Sequence, residues 1–253
     1  MPANEPVLVT TLAERPFLVE RLWELTDLWP RFMVEDPIAD LYYRDCTRAR
    51  PDYVLVATVA GTDHLVARGF AVPFALDLPE RGDLPGDGWD GVIRWSWADR
   101  VDGRPPDTVS ALEITIVPER RGTGLAGHMV QAMRDLAARR GFGVLVAPVR
   151  PSRKADEPWT PIAEYAARRR PDGMPADPWM RVHARLGAEV VRVAPRSMTV
   201  AGSLADWREW TGLPLAESGP QVVPGALVPV HVDVDQDHAV YVEPNVWMRH
   251  TLG

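Results

Sequence analysis

The stretch Ile114-Thr-Ile-Val-Pro-Glu-Arg-Arg-Gly-Thr-Gly-Leu-Ala126 holds the pieces of an anion site. A strand feeds a turn carrying Gly122 and Gly124, and the turn opens a helix. Such a junction aims free backbone N–H groups at one point and adds the positive end of a helix dipole. A phosphate or pyrophosphate is its natural occupant. Glycine serves there because the backbone can approach the anion without a Cβ. No lysine follows the glycines, so this is not a P-loop. The spacing Arg121-x-x-Gly124-x-Ala126 is not the dinucleotide fingerprint either.

The surrounding elements can be read from pattern. Thr11 and Glu14 fit a capping box, followed by a helix through Leu18, Leu22, Leu25 and Trp29 that ends at Pro30. A short helix spans Ile38 to Tyr43. Strands are expected over Tyr53–Ala60, His64–Leu76, Ser110–Val117 and Gly143–Val149. Residues Asp77 to Asp107, rich in Pro, Gly and Asp with Trp89, Trp95 and Trp97 interleaved, read mainly as loop. Gly124 to Arg140 is a helix with Met129, Met133 and Leu136 on one face and Gly141 as its stop. Beyond Arg150 come a proline-rich stretch around a helix from Pro161 to Arg170, a helix from Trp179 to Leu186 and a strand from Ala188 to Val193. A helix near Leu204 to Trp210 precedes a hairpin of Ala226–Val234 and Ala239–Met248.

Composition narrows the class. The chain has 253 residues, 46% hydrophobic and 25% charged, with a net charge of -7. That is enough chain for a sizeable core, and no apolar run approaches the ~18 residues of a membrane span. The acidic balance argues against wrapping nucleic acid. Residues 1–14 lack the basic-then-apolar pattern of a secretory signal, so a cytoplasmic protein is expected. The single cysteine, Cys46, excludes an internal disulfide framework and a cysteine metal cluster, and no metal is expected. Lys154 is the sole lysine among 28 Lys and Arg. That bias reads as GC-rich coding, with an arginine-specific phosphate role as the alternative.

The turn Arg121-x-x-Gly124-x-Ala126 resembles the acetyl-CoA pyrophosphate loop of the GNAT superfamily of N-acetyltransferases. Glu113-Ile-Thr-Ile-Val-Pro118 is similar to that family's central strand. Trp179-Met-Arg-Val-His-Ala-Arg-Leu-Gly187 is similar to its second motif. The resemblance covers roughly residues 10 to 195 and is specific over about 110–150 and 179–193. It implies a mixed α+β fold, three-layered, with a splayed, mostly antiparallel sheet flanked by helices. A C-terminal β-hairpin extension is added to it. One domain over 1–253 is expected, with a core of about 10–195 and an extension of about 196–253 packed on it.

The same resemblance implies acetyl-CoA, or another acyl-CoA, as co-substrate. Its pantetheine arm would pair with strand backbone near Ile116 and Val117. Its diphosphate would lie on the amides of Arg121, Gly122, Thr123, Gly124, Leu125 and Ala126. The implied chemistry is direct attack of an amine on the thioester, with no acyl-enzyme; Cys46 reads as a buried helix cysteine. The attacking amine must be neutral, whereas a free alkyl ammonium has a pKa of about 10.4. A carboxylate can take that proton. Glu113 matches the family's central-strand glutamate, against the alternative of a salt-bridged strand residue. Where the family often carries a tyrosine acid, this chain has His183, which either donates to the leaving thiolate or is a satisfied helix residue.

Three functions stand side by side. The first is an acyl-CoA-dependent N-acyltransferase acting on a small-molecule amine, as monomer or homodimer. The acidic stretch Asp77–Asp90 would favour a cationic acceptor. The second is a transferase using aminoacyl-tRNA as donor, and the third a non-catalytic acyl-CoA-binding module. Arg150, Arg153, Lys154 and Arg168-Arg169-Arg170 lie in a segment longer than the family's usual connection. They either hold a phosphate of the co-substrate or of a phosphorylated substrate, or form a solvated charged surface.

Overall fold

A computed structural model describes residues 5–253 of the chain. Nine strands form one sheet: β1 (Val7–Thr11), β2 (Val54–Val59), β3 (Leu65–Phe74), β4 (Thr108–Ile116), β5 (Val144–Val149), β6 (Glu189–Gly202), β7 (Gly219–Gln221), β8 (Val230–Asp233) and β9 (His238–Thr251). The spatial order is β1-β2-β3-β4-β5-β9-β8-β7, with β6 on the other edge of β9. Every pairing is antiparallel except β4 with β5. The seven helices among the described residues are α1 (Asp40–Tyr43), α2 (Cys46–Ala49), α3 (Gly88–Asp102), α4 (Leu125–Arg139), α5 (Ile162–Ala167), α6 (Pro178–Arg185) and α7 (Leu204–Thr211).

The sheet separates two apolar layers. One packs the N-terminal segment, α3 and α7 around Phe32, Phe70, Phe74, Trp207 and Tyr241. The other packs α4, α5 and α6 around Met129, Met133, Ala166 and Met180. β2 and β3 are buried on both faces and accordingly read as continuous apolar runs. This is the mixed α+β, mostly antiparallel, helix-flanked sheet expected from the sequence.

Three local expectations change. The capping box is present, with Thr11 N donating to Glu14 Oε2 (2.6 Å) and Glu14 N to Thr11 Oγ1 (3.3 Å). In place of an α-helix it leads into two 3-10 segments, Pro16–Leu18 and Glu20–Leu28. The apolar residues at helical spacing are buried all the same, because Leu18, Leu22 and Leu25 seat in the core.

The stretch read as loop contains α3, fifteen residues long. Trp89, Val92, Ile93 and Ser96 are buried at helical spacing, and Gly103 in the left-handed region ends the helix. The breaker-like Pro85-Gly86-Asp87-Gly88 masks its start. Gly91, inside the helix, is there for contact: a Cβ at that position would lie 2.9 Å from Pro85 and 2.3 Å from Asp87 Oδ1. The helix is anchored by the buried Arg81–Asp99 ion pair (2.6 Å), and Asp99 also accepts Ala75 N at the end of β3.

The C-terminal strands form the expected hairpin, but β9 lies inside the main sheet. Val246–Thr251 pair with β5 on one edge, and Ala239–Arg249 with β6 on the other. β6 itself runs through residue 195.

Candidate active site

β4 and β5 pair only at Val109–Leu145 and Ser110–Val146. Beyond Ser110 they diverge, and from Ala111 to Ile116 the β5-facing edge of β4 is open. The opposite edge stays bonded to β3 throughout, with a bulge at Leu112. Val117 N donates to Val66 O (3.0 Å). Since antiparallel strands bond at alternate residues, Thr115 and Glu113 direct their backbone groups to β3, and Ile114 and Ile116 direct theirs into the gap. Ile116 O accepts Arg121 Nε (3.3 Å). The expected pairing of pantetheine with Val117 is therefore corrected: its amide is committed to β3 and its carbonyl accepts Arg120 N. Ile114 and Ile116 are the gap-facing pair. The indole of Trp89, from the unforeseen α3, donates to Leu112 O (3.1 Å) where the strands part.

The open end of the gap meets the glycine turn. Gly122 and Gly124 have φ of +77° and +89°, and a Cβ at either would meet nothing within 4 Å. No side chain caps α4. The amides of Gly122 to Ala126 donate to no atom among the described residues. Thr123 Oγ1 folds back to Arg120 O (2.8 Å), and Arg120 is fastened to Glu5 Oε2 (3.0 Å), which fixes the turn from beneath. An open cradle of unsatisfied N–H groups at a helix start fits a diphosphate.

Glu113 lies on the face opposite α4. Its Oε1 accepts Arg68 Nε (2.8 Å) and Thr115 Oγ1 (2.6 Å), and its Oε2 accepts Tyr43 Oη (2.8 Å). The side chains of Arg68 and Glu113 are 3% and 9% exposed. Trp29 Nε1 in turn donates to Thr115 Oγ1 (3.0 Å). Glu113 is thus both salt-bridged and placed beside the gap, with lone-pair capacity left on Oε2. Sequence pattern alone did not mark Arg68, Tyr43, Thr115 or Trp29. An arginine inside the apolar run Val66-Ala67-Arg68-Gly69-Phe70 was the available signal, since charges are rarely buried unless paired.

A second buried polar set adjoins this face. Glu243 on β9 accepts Arg150 Nε (2.9 Å), Tyr241 Oη (2.8 Å) and Asn245 Nδ2 (3.0 Å). Asp36 and Asp90 are buried together. Desolvation, and then the neighbouring Asp36, push the Asp90 carboxyl up to about 9.

His183 does not fit the proton-donor role expected of it. It is 2% exposed, packed edge-on against Trp179 and hydrogen-bonded through Nδ1 to His250 Nε2 (3.0 Å). Burial, and then His250, lower its pKa to about 3. A neutral imidazole in the core has no imidazolium proton to give at neutral pH. Cys46 is buried, and desolvation raises its thiol to about 12, which leaves it inert as a nucleophile.

No family model matches the chain. The chain is 35% identical to the arginine N-acetyltransferase avaD of Aspergillus versicolor over 272 aligned positions, covering 96% of this chain and 93% of that protein. Among solved structures, the fold is similar to the GphF GNAT-like decarboxylase in complex with isobutyryl-CoA. The TM-score there is 0.56 at 18% identity, over 98% of this chain and 100% of that one. It is also similar to the loading GNATL domain of CurA from Lyngbya majuscula, with a TM-score of 0.54 at 16% identity over 86% and 96% of the two chains. Glycine cradle, splayed strands and full-length relative agree, and the chain belongs to the GNAT superfamily of N-acetyltransferases.

Proposed function

We propose that this chain is an acyl-CoA-dependent N-acyltransferase that places an acetyl, or other short acyl, group on a nitrogen of a small cationic acceptor of the arginine class. The observation that carries this reading is the gap between β4 and β5, whose open end runs onto the unpaired amides of Gly122 to Ala126. The full-length similarity to an arginine N-acetyltransferase supports the acceptor class.

In this reading the amides of Gly122–Ala126 hold the diphosphate, and the backbone of Ile114 and Ile116 aligns the pantetheine arm. Bound acyl-CoA supplies the thioester. Glu113 takes the acceptor's proton on Oε2, while Arg68 and Thr115 keep the carboxylate in place through Oε1. The departing thiol has a pKa of about 8.5 and leaves as thiolate without a dedicated acid. Glu243 is spent on Arg150 and Asp90 is held protonated, so the cationic acceptor class rests on the similarity to the arginine N-acetyltransferase. The whole of 1–253 acts as one domain inside the cell, where acyl-CoA is made.

The deciding experiment incubates the purified chain with acetyl-CoA and arginine, agmatine or ornithine, and reads free-thiol release and product mass. Acceptor-dependent thiol release with an acetylated product is expected. Thiol release no faster than acetyl-CoA hydrolysis with every acceptor would refute the reading.

A further inference from the structure

The segment between β5 and α6 lines an open cavity of about 490 Å³, on whose wall Arg153, Arg168, Arg170 and Arg181 stand with Asp156 and Glu157. The arginines are not equivalent. Arg168 is spent on Glu157 (2.8 Å to each oxygen) and Glu164 (3.3 Å). Arg170 is paired with Asp172 (3.4 Å). Arg181 gives its Nη1 to the carbonyls of Pro175 and Ala176 (2.8 Å each), which fixes its direction without neutralising it. The guanidinium of Arg153 has no partner among the described residues, although its backbone N–H is held by Asp177 Oδ2 (3.0 Å). Two uncompensated guanidinium groups from separate segments therefore share one cavity, and Asp156 is the carboxylate left to oppose them.

Topology places this cavity beside the diphosphate cradle. β4 and β5 run parallel, so the turn after β4 and the segment after β5 leave from the same rim of the sheet. α4 and α6 both begin at that rim and pack against each other.

The geometry points to a phosphomonoester site in this cavity, with Arg153 and Arg181 as its guanidinium forks. A phosphomonoester dianion offers three oxygens to planar donors and is matched in charge by two arginines. Two sources share this chemistry: the 3′-phosphate of the co-substrate, or a separate phosphorylated ligand. The first source rests on the acyl-CoA reading above.

The test is calorimetric titration of parent and Arg153→Gln/Arg181→Gln with CoA, dephospho-CoA and adenosine 3′,5′-bisphosphate. If the co-substrate is the source, the parent prefers CoA over dephospho-CoA by about tenfold or more. The variant then loses that preference and keeps its dephospho-CoA affinity. If the parent does not discriminate, yet binds the bisphosphate and the variant does not, the site takes a separate phosphorylated ligand. A variant that matches its parent for all three ligands overturns the proposal, as does a parent with neither the preference nor bisphosphate binding. Dephospho-CoA retains the diphosphate, so failure of both CoA forms to bind the parent refutes the acyl-CoA reading, and the bisphosphate arm still judges the pocket. Arg153→Glu, on an exposed turn, is the second variant should the double change fail to fold. It is expected to abolish the preference with an unaltered melting temperature.

Discussion

Arg68 and Glu113 meet across the β3–β4 pair, Nε to Oε1 at 2.8 Å, on neighbouring strands whose register sets Phe70 opposite Glu113. The pair sits where the sheet is about to lose a neighbour, with β3 on one side and the gap on the other. Removing one member of a buried ion pair leaves an uncompensated charge and costs about 3–5 kcal/mol. Glu113→Gln keeps the shape but takes the proton acceptor away. We expect it to lower both melting temperature and kcat, whereas Arg68→Met combined with Glu113→Gln recovers much of the stability and none of the rate. Thermal unfolding and thiol release on the same samples separate the two effects; recovered turnover in the double variant would remove Glu113 from the proton path.

Gly124→Asp projects a carboxylate into space no protein atom fills, at a residue whose φ of +89° disfavours any side chain. Loss of CoA binding is expected, with about 1–2 kcal/mol of destabilisation from the backbone. Gly124→Ala shares the backbone strain but not the charge, so it should retain more affinity. Titration with CoA checks both; equal affinities for the aspartate variant and the parent would contradict the cradle.

The histidine pair predicts how stability depends on acid. The folded pKa of His183 is about 3 and that of His250 about 4, both below the ordinary value near ~6.5. The unfolded chain therefore binds protons that the native chain refuses. Stability is full above about pH 6.5 and is lost as pH falls toward the folded values. His183→Gln should flatten that acid limb in a melting series, and leave turnover at pH 7–8 within a few-fold of the parent.

Asp90 acts in the opposite sense. Its folded pKa, about 9, lies above that of an ordinary carboxyl, so the native state holds a proton the unfolded state has released. This group's contribution is complete below about pH 4 and is lost as pH rises toward 9. Asp90→Asn should raise the melting temperature at pH 8 and remove the slope between those limits. An unchanged slope would show that the pair does not carry the titration.

The domain proposal is tested by proteolysis between α7 and β7, near residues 212–218. β9 is hydrogen-bonded to both β5 and β6, so a nicked chain is expected to stay associated and to bind CoA. A soluble fragment that ends there and still binds would make the C-terminal part a separate module.

The strand–turn–helix around Gly122 and Gly124 was legible because it is local: apolar alternation, two glycines and a 3.6-residue period lie within one continuous stretch. The surroundings of Glu113 were not, since Arg68 is brought to it by the register of β3 with β4, whereas Tyr43, and Trp29 on Thr115, come from the N-terminal segment packed on that face. α3 was hidden because its glycines look like breakers until Pro85 is seen packed against Gly91. His183 illustrates the limit of positional likeness: it lies on the expected helix, but the facing His250 on β9, 67 positions along the chain, decides its protonation.

The neighbour that braces β5 is β9, which begins only at His238, whereas β5 ends at Val149. During synthesis, the glycine cradle and both walls of the gap leave the ribosome well before the strand that supports the outer wall. The nascent chain must carry β5 with one edge bare while residues 150–237 emerge, and such non-local pairing is slow and prone to mispairing. The outer wall of the gap is therefore completed only once β9 has been made.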